Sequence, residues 1–94
     1  MNDLKILLIQ FARGLSAHFG KNCEIVIHDV TKGLENTIIH IENGHVTRRK
    51  EGGSGSRVVF EALNTDPSRL HDRLAYLTRT DDGRILKSST LYIK

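Results

Sequence analysis

The turn Asp82-Gly83, with the run Arg84 to Ile93 behind it, constrains this chain more than any other segment. Glycine accepts the positive φ of a tight hairpin turn, so Asp-Gly predicts two strands folding back on each other. The strand after the turn carries a polar block, Lys87 to Thr90, between apolar neighbours. Alternation places Leu86, Ser88, Thr90 and Tyr92 on one face and Lys87, Ser89, Leu91 and Ile93 on the other. Such a strand either faces water or lines a polar hollow. That choice separates a sensor from a scaffold.

At 94 residues the chain is sized for a single domain, residues 1–94, with one modest core. A hydrophobic fraction of 38% and a charged fraction of 27% suit a soluble globular protein. No apolar run approaches the roughly 20 residues of a membrane span. Asp3 precedes the first apolar segment and no small-residue cleavage site follows, so the start does not read as a secretory signal. One cysteine, Cys23, cannot form an internal disulfide, which points to the cytoplasm. The densest cationic cluster, Arg48-Arg49-Lys50, stands beside the Gly/Ser-rich stretch 51–56. It could contact phosphates, but a nucleic-acid surface needs a broader basic stripe, and a solvated hairpin end is the plainer reading.

Leu4, Leu7, Leu8, Phe11, Leu15 and Phe19 recur at three- and four-residue spacing and predict a helix over about 3–19. Asn2 or Asp3 can cap its start and Gly20 its end. This stripe is expected to dock on the domain. Ile6 and Ile9 lie off it, on the face that holds Arg13, and a second apolar patch suggests a partner, another copy of the chain. Strands are predicted over about 23–30, 37–42 and 45–50, the last two joined by Asn43-Gly44, a strong hairpin signal. A short helix from Arg57 to Leu63, with Ser56 as cap, precedes Asp66-Pro67, which opens a helix to about Leu74. Strands over 76–80 and 84–93 close the chain. The order predicts an α+β fold: an antiparallel sheet with an N-terminal helix and short helices covering one face.

Three segments carry a resemblance. They are Asn22 to Asp29, Ile41 to Thr47 and Asp82 to Thr90. In this order they resemble the YheO-like PAS domain, the N-terminal part of a family of bacterial transcriptional regulators. The resemblance runs over almost the whole chain, with one departure: Arg48 stands where the family usually has glycine after the threonine. It implies a PAS fold with a small cavity, signal sensing, dimerisation, and coupling to a C-terminal helix-turn-helix that binds DNA. The last PAS strand of the family, central in the sheet, would follow Lys94, so the chain reads as truncated before it. Unpaired buried backbone groups are costly. The first and final strands are therefore expected to pair directly, or a second chain to complete the sheet.

His28 shares its face with Val26 and Val30, so it could reach a cavity and meet an anionic ligand, or simply hold a structural hydrogen bond. Asp29 suits the turn after it. In the last strand, Lys87 with Ser89 would suit a carboxylate, whereas Ser88, Thr90 and Tyr92 would offer neutral hydrogen bonds. Cross-strand hydroxyl pairing is the structural alternative for either set. Catalysis lacks parts: Cys23 and His28 point to opposite faces, and no oxyanion element accompanies Lys87. His28, His40, His45 and His71 show no metal-ligand spacing, and no cofactor is implied. The chain reads as a non-enzymatic sensor and dimerisation module for a small polar metabolite. The alternative is a ligand-free module that only pairs subunits.

Overall fold

The computed structural model describes residues 3–31, 33, 36–48, 57–80 and 82–93. The chain forms two compact units, Met1–Leu63 and Asn64–Lys94. Its elements are a long helix and small antiparallel sheets, an α+β PAS-like architecture.

The first unit opens with α1 (Asp3–Phe19), which packs against β1 (Ile25–His28) and β2 (Ile38–Glu42). Gly20 ends the helix in the left-handed region at φ 92, its N–H still reaching the Ser16 carbonyl at 2.8 Å. The face that docks is not the leucine stripe. Ala12 and Ser16 are the buried residues of α1, whereas Leu4, Leu7, Phe11, Leu15 and Phe19 remain 45–65% exposed. Two small side chains let the helix axis lie close to the sheet, which turns the large ones sideways.

In the β1–β2 pair, Ile25 lies opposite Glu42 and Ile27 opposite His40, with a bulge before His28. Asp29 N–H then donates to the Thr37 carbonyl at 2.8 Å, and the Asp29 carboxylate closes the next turn by accepting from Thr31. Thr37 and Ile38 are buried. Buried apolar side chains among the described residues are Ala12, Ile38, Val46 and Val59, a thin core. A fully covered valine such as Val59 contributes about 1.5–3 kcal/mol.

Asn43-Gly44 does not turn a hairpin, and the expected strand over 45–50 is absent from its described part. Asn43 sits at φ 57 and leads into a 3-10 turn, Gly44–Val46, that buries Val46. The Asn43 amide donates to the carbonyls of Gly20 (3.2 Å) and Cys23 (2.8 Å), so its turn chemistry is used up on a distant loop. Thr47 is held by the Glu24 carboxylate, which accepts from its N–H at 2.9 Å and from its hydroxyl at 2.7 Å. Arg48 then lies at φ 63, the backbone region glycine prefers. Positions 49–56, with the rest of the basic cluster and the Ser56 cap, fall outside the described residues. The next element is α2 (Arg57–Asn64).

In the second unit, Asp66 caps a single 3-10 turn, Pro67–Arg69, its carboxylate accepting from Ser68 N–H at 3.0 Å. The helix expected to run to Leu74 stops there. Leu70 is already extended, and β3 (Arg73–Arg79) pairs with β4 (Ile85–Thr90), so strand pairing takes the residues that a longer helix would need. The register shifts between Arg73 and Tyr76, where Ala75 adopts φ 55. The hairpin is present, but its loop is one residue longer than a two-residue Asp-Gly turn. Thr80 N–H donates to the Arg84 carbonyl and Gly83 N–H to the Thr80 carbonyl, with Gly83 at φ 87.

Among the described residues each sheet has two strands, β1–β2 in the first unit and β3–β4 in the second.

Candidate functional site

Strand alternation and pairing gather hydroxyls on one face of the β3–β4 hairpin. Tyr76, Thr78, Ser88, Thr90 and Tyr92 are half-buried, while Leu77, Arg79, Lys87, Ser89, Leu91 and Ile93 are exposed. Tyr76 and Ser88 are register partners, so their side chains share a face. Thr78 Oγ1 lies 2.8 Å from Ser88 Oγ, and the Tyr76 hydroxyl bonds that of Thr90. These two diagonal contacts make a short ladder of groups that each donate and accept. Arg73 adds a cation, its guanidinium carbon 4.2 Å from the Tyr76 ring centroid.

Lys87 and Ser89 are on the opposite, exposed face. Ser89 Oγ accepts from the Ala75 N–H at 2.9 Å, which holds the irregular stretch of β3 in place. Tyr92 continues β4 through its N–H, which donates to the Asp72 carboxylate at 2.8 Å. The six last-strand and β1 candidates are thus divided three ways: Ser88, Thr90 and Tyr92 together, Lys87 and Ser89 apart from them, and His28 in the first unit. Sequence reading passed over Tyr76, Thr78 and Arg73. The same alternation, applied to 76–80, would have found the first two.

In the first unit His28 Nδ1 lies 2.9 Å from the hydroxyl of buried Thr37, a structural contact for this histidine. A second polar group sits under α1. Glu42 Oε1 accepts from Ser16 Oγ at 3.2 Å, and its other oxygen lies 2.6 Å from His40 Nε2. The carboxylate stands between serine and histidine, so the imidazole does not reach the hydroxyl as a general base must. No three His, Cys, Asp or Glu side chains among the described residues converge as a metal site needs. On the flank of α1, Ile6, Ile9, Gln10 and Arg13 border an open concavity of about 390 Å³. Ile6 and Arg13 are exposed and Ile9 is half-buried.

Comparison with known proteins matches residues 3–94 to the model of the YheO-like PAS domain. The chain belongs to the YheO-like PAS domain family. This YheO-like PAS domain is 33% identical over 81 residues to an uncharacterized protein of Haemophilus influenzae, covering 86% of this chain and 36% of that protein. It is 33% identical over 85 residues to the uncharacterized protein YheO of Escherichia coli K12, covering 86% of this chain and 34% of YheO, and equally to YheO of Shigella flexneri. The chain therefore spans about a third of the length of the curated relatives it matches. No solved structure matches significantly. No helix among the described residues of this YheO-like PAS domain is long and apolar enough to cross a membrane.

Proposed function

We propose that this chain is the sensor and dimerisation domain of a cytoplasmic transcriptional regulator. It binds a small polar metabolite and signals to a DNA-binding helix-turn-helix elsewhere in the regulator. The observation that carries the reading is the hydroxyl face of β3 and β4, set in a domain of this family. Ser88, Thr90 and Tyr92, with Tyr76 and Thr78 opposite, present donors and acceptors without a fixed charge, which suits a neutral or zwitterionic small molecule. Arg73 supplies a cation beside Tyr76 for a carboxylate. Signalling requires the metabolite to bind one packing of the subunits better than another.

A thermal-shift screen of polar metabolites, amino acids included, tests this. A binding metabolite raises the melting temperature in a concentration-dependent way. The rise should disappear in Thr90→Val and persist in Lys87→Ala. A rise that survives Thr90→Val and vanishes in Lys87→Ala moves the site to the other face.

One observation favours a second reading, a ligand-free pairing module. The hydroxyls of Thr78 and Ser88, and of Tyr76 and Thr90, already bond each other. Under that reading no metabolite shifts the melting temperature, and only subunit association matters.

A further inference from the structure

Arg73 and Tyr76 are three positions apart, an odd separation that a regular strand sends to opposite faces. In β3 they share one. Arg73 is the register partner of Thr90 and Tyr76 that of Ser88, so Leu74 and Ala75 together stand opposite Ser89. Two residues against one make a β-bulge, a device that re-aims a side chain. The extra residue carries Arg73 round to the hydroxyl face, where its guanidinium carbon lies 4.2 Å from the Tyr76 ring centroid. We infer that the bulge, pinned by the Ser89 hydroxyl, positions Arg73 to receive the carboxylate of a small ligand laid along Thr90 and Ser88. This inference rests on the hydroxyl face of the proposed function and adds its ligand class and a positioning residue.

Three observations point the same way. The bulge is held against its own strain: Ala75 takes φ 55, a region that disfavours a β-carbon, and its N–H donates to Ser89 Oγ at 2.9 Å. Ser89 is exposed on the other face, with Lys87, so its hydroxyl serves the backbone of β3 and not the ligand. Arg73, secondly, keeps its charge for a partner. Among the described residues no carboxylate pairs with it, and neighbouring Asp72 is turned to the Tyr92 N–H at 2.8 Å. A guanidinium resting on an aromatic ring still presents N–H groups, and a carboxylate accepts two of them at once. The third observation is what lies beside that cation. Thr90 is directly across from Arg73, and Ser88 follows about 7 Å further along the same face. Both hydroxyls donate and accept. A cation next to a row of hydroxyls matches a short carboxylate that carries a hydroxyl or amino group.

NMR titrations of this chain with small acids and their amides test the inference, using glycolate against glycolamide and lactate against lactamide as probes. The acids should shift the Arg73 Nε–H and Thr90 amide signals saturably, and the amides at equal concentration should not. Ser89→Ala should weaken acid binding about fivefold, and Ser89→Thr should keep it. Glycine accepts φ 55 freely, so Ala75→Gly added to Ser89→Ala should restore most of that loss. Deletion of Ala75 leaves Arg73 and Tyr76 on one face of a regular strand, and there Ser89→Ala should not change binding. Acid affinity untouched by Ser89→Ala, or lost equally with and without Ala75, means that the bulge shapes only the strand and overturns the positioning role. Acids and amides binding alike overturn the carboxylate class while the hydroxyl face stands. Binding of neither sinks this inference, and the neutral metabolites of the thermal-shift screen then decide separately whether sensing survives.

Discussion

Asn43 ties the end of β2 to the loop that leaves α1: its Nδ2 donates to the Cys23 carbonyl at 2.8 Å and to the Gly20 carbonyl at 3.2 Å. The residue is half-buried and in the left-handed region, φ 57, where asparagine is tolerated better than most side chains. Asn43→Ala loses both bonds and keeps the strain, and should cost about 2–3 kcal/mol. Asn43→Gly relieves the strain and loses only the bonds, about 1–2 kcal/mol. Urea denaturation of the two variants checks the order; equal losses would mean the backbone conformation contributes nothing.

Arg48 should be replaceable by glycine with a gain. It is exposed at φ 63, and a non-glycine residue in that region costs about 1–2 kcal/mol, partly offset by the entropy a glycine adds to the unfolded chain. A net gain of about 0.5–1 kcal/mol is expected for Arg48→Gly, and the same for exposed Ala75→Gly at φ 55. A glycine at position 48 would thus have a backbone reason. Unchanged denaturation midpoints in both variants would remove it.

The β3–β4 loop carries a carboxylate that resists protonation. The Thr80 hydroxyl donates to Asp82, and Arg84 Nε donates to both its oxygens at 3.1 Å. Together, Thr80 foremost, they lower its pKa from 3.8 to about 2. A depressed folded pKa means the carboxylate form favours the folded hairpin. The contribution is therefore fully present above about pH 4 and is lost as pH falls through about 2. An NMR titration of the Asp82 carboxyl should find this midpoint. Thr80→Val should raise it further than Arg84→Gln; the reverse order would make the ion pair the main cause.

The hydroxyl ladder should show coupling. Thr78→Val leaves Ser88 without its 2.8 Å partner and should cost about 0.5–1.5 kcal/mol, and Ser88→Ala the same. The double variant should cost less than the two losses together, by about 0.5–1 kcal/mol, since the second change removes a group already orphaned. Strict additivity would mean the two hydroxyls do not bond each other.

Periodicity located α1, because Leu4, Leu7, Phe11 and Leu15 fall on one side of any helix through them. It could not say whether that side looks inward. An apolar stripe has the same spacing whether its partner is the helix's own sheet or another chain, and Ala12 and Ser16 are too small to mark the docked face. Asn43-Gly44 misled for a related reason. Turn propensity is local, whereas the conformation of Asn43 is set by carbonyls some twenty residues upstream. Asp66-Pro67 announced a helical start correctly, but its length depended on strand pairing 15 or more residues on. Alternation did group Ser88 with Thr90, since a strand period of two needs no tertiary information. The partners of that pair, Thr78 and Tyr76, required the register of the hairpin.

One bond under α1 has a mechanical meaning. A helix resting only on greasy surfaces can slide or roll by a fraction of a turn for little energy. The Ser16 hydroxyl, 8% exposed and seated on Glu42, works as a detent. To roll, α1 must give up that contact, leaving Glu42 to His40 and the Ser16 hydroxyl to the Arg13 carbonyl at 3.1 Å. Rolling α1 therefore gives up its hydroxyl contact to β2, at a cost of about 0.5–1.5 kcal/mol.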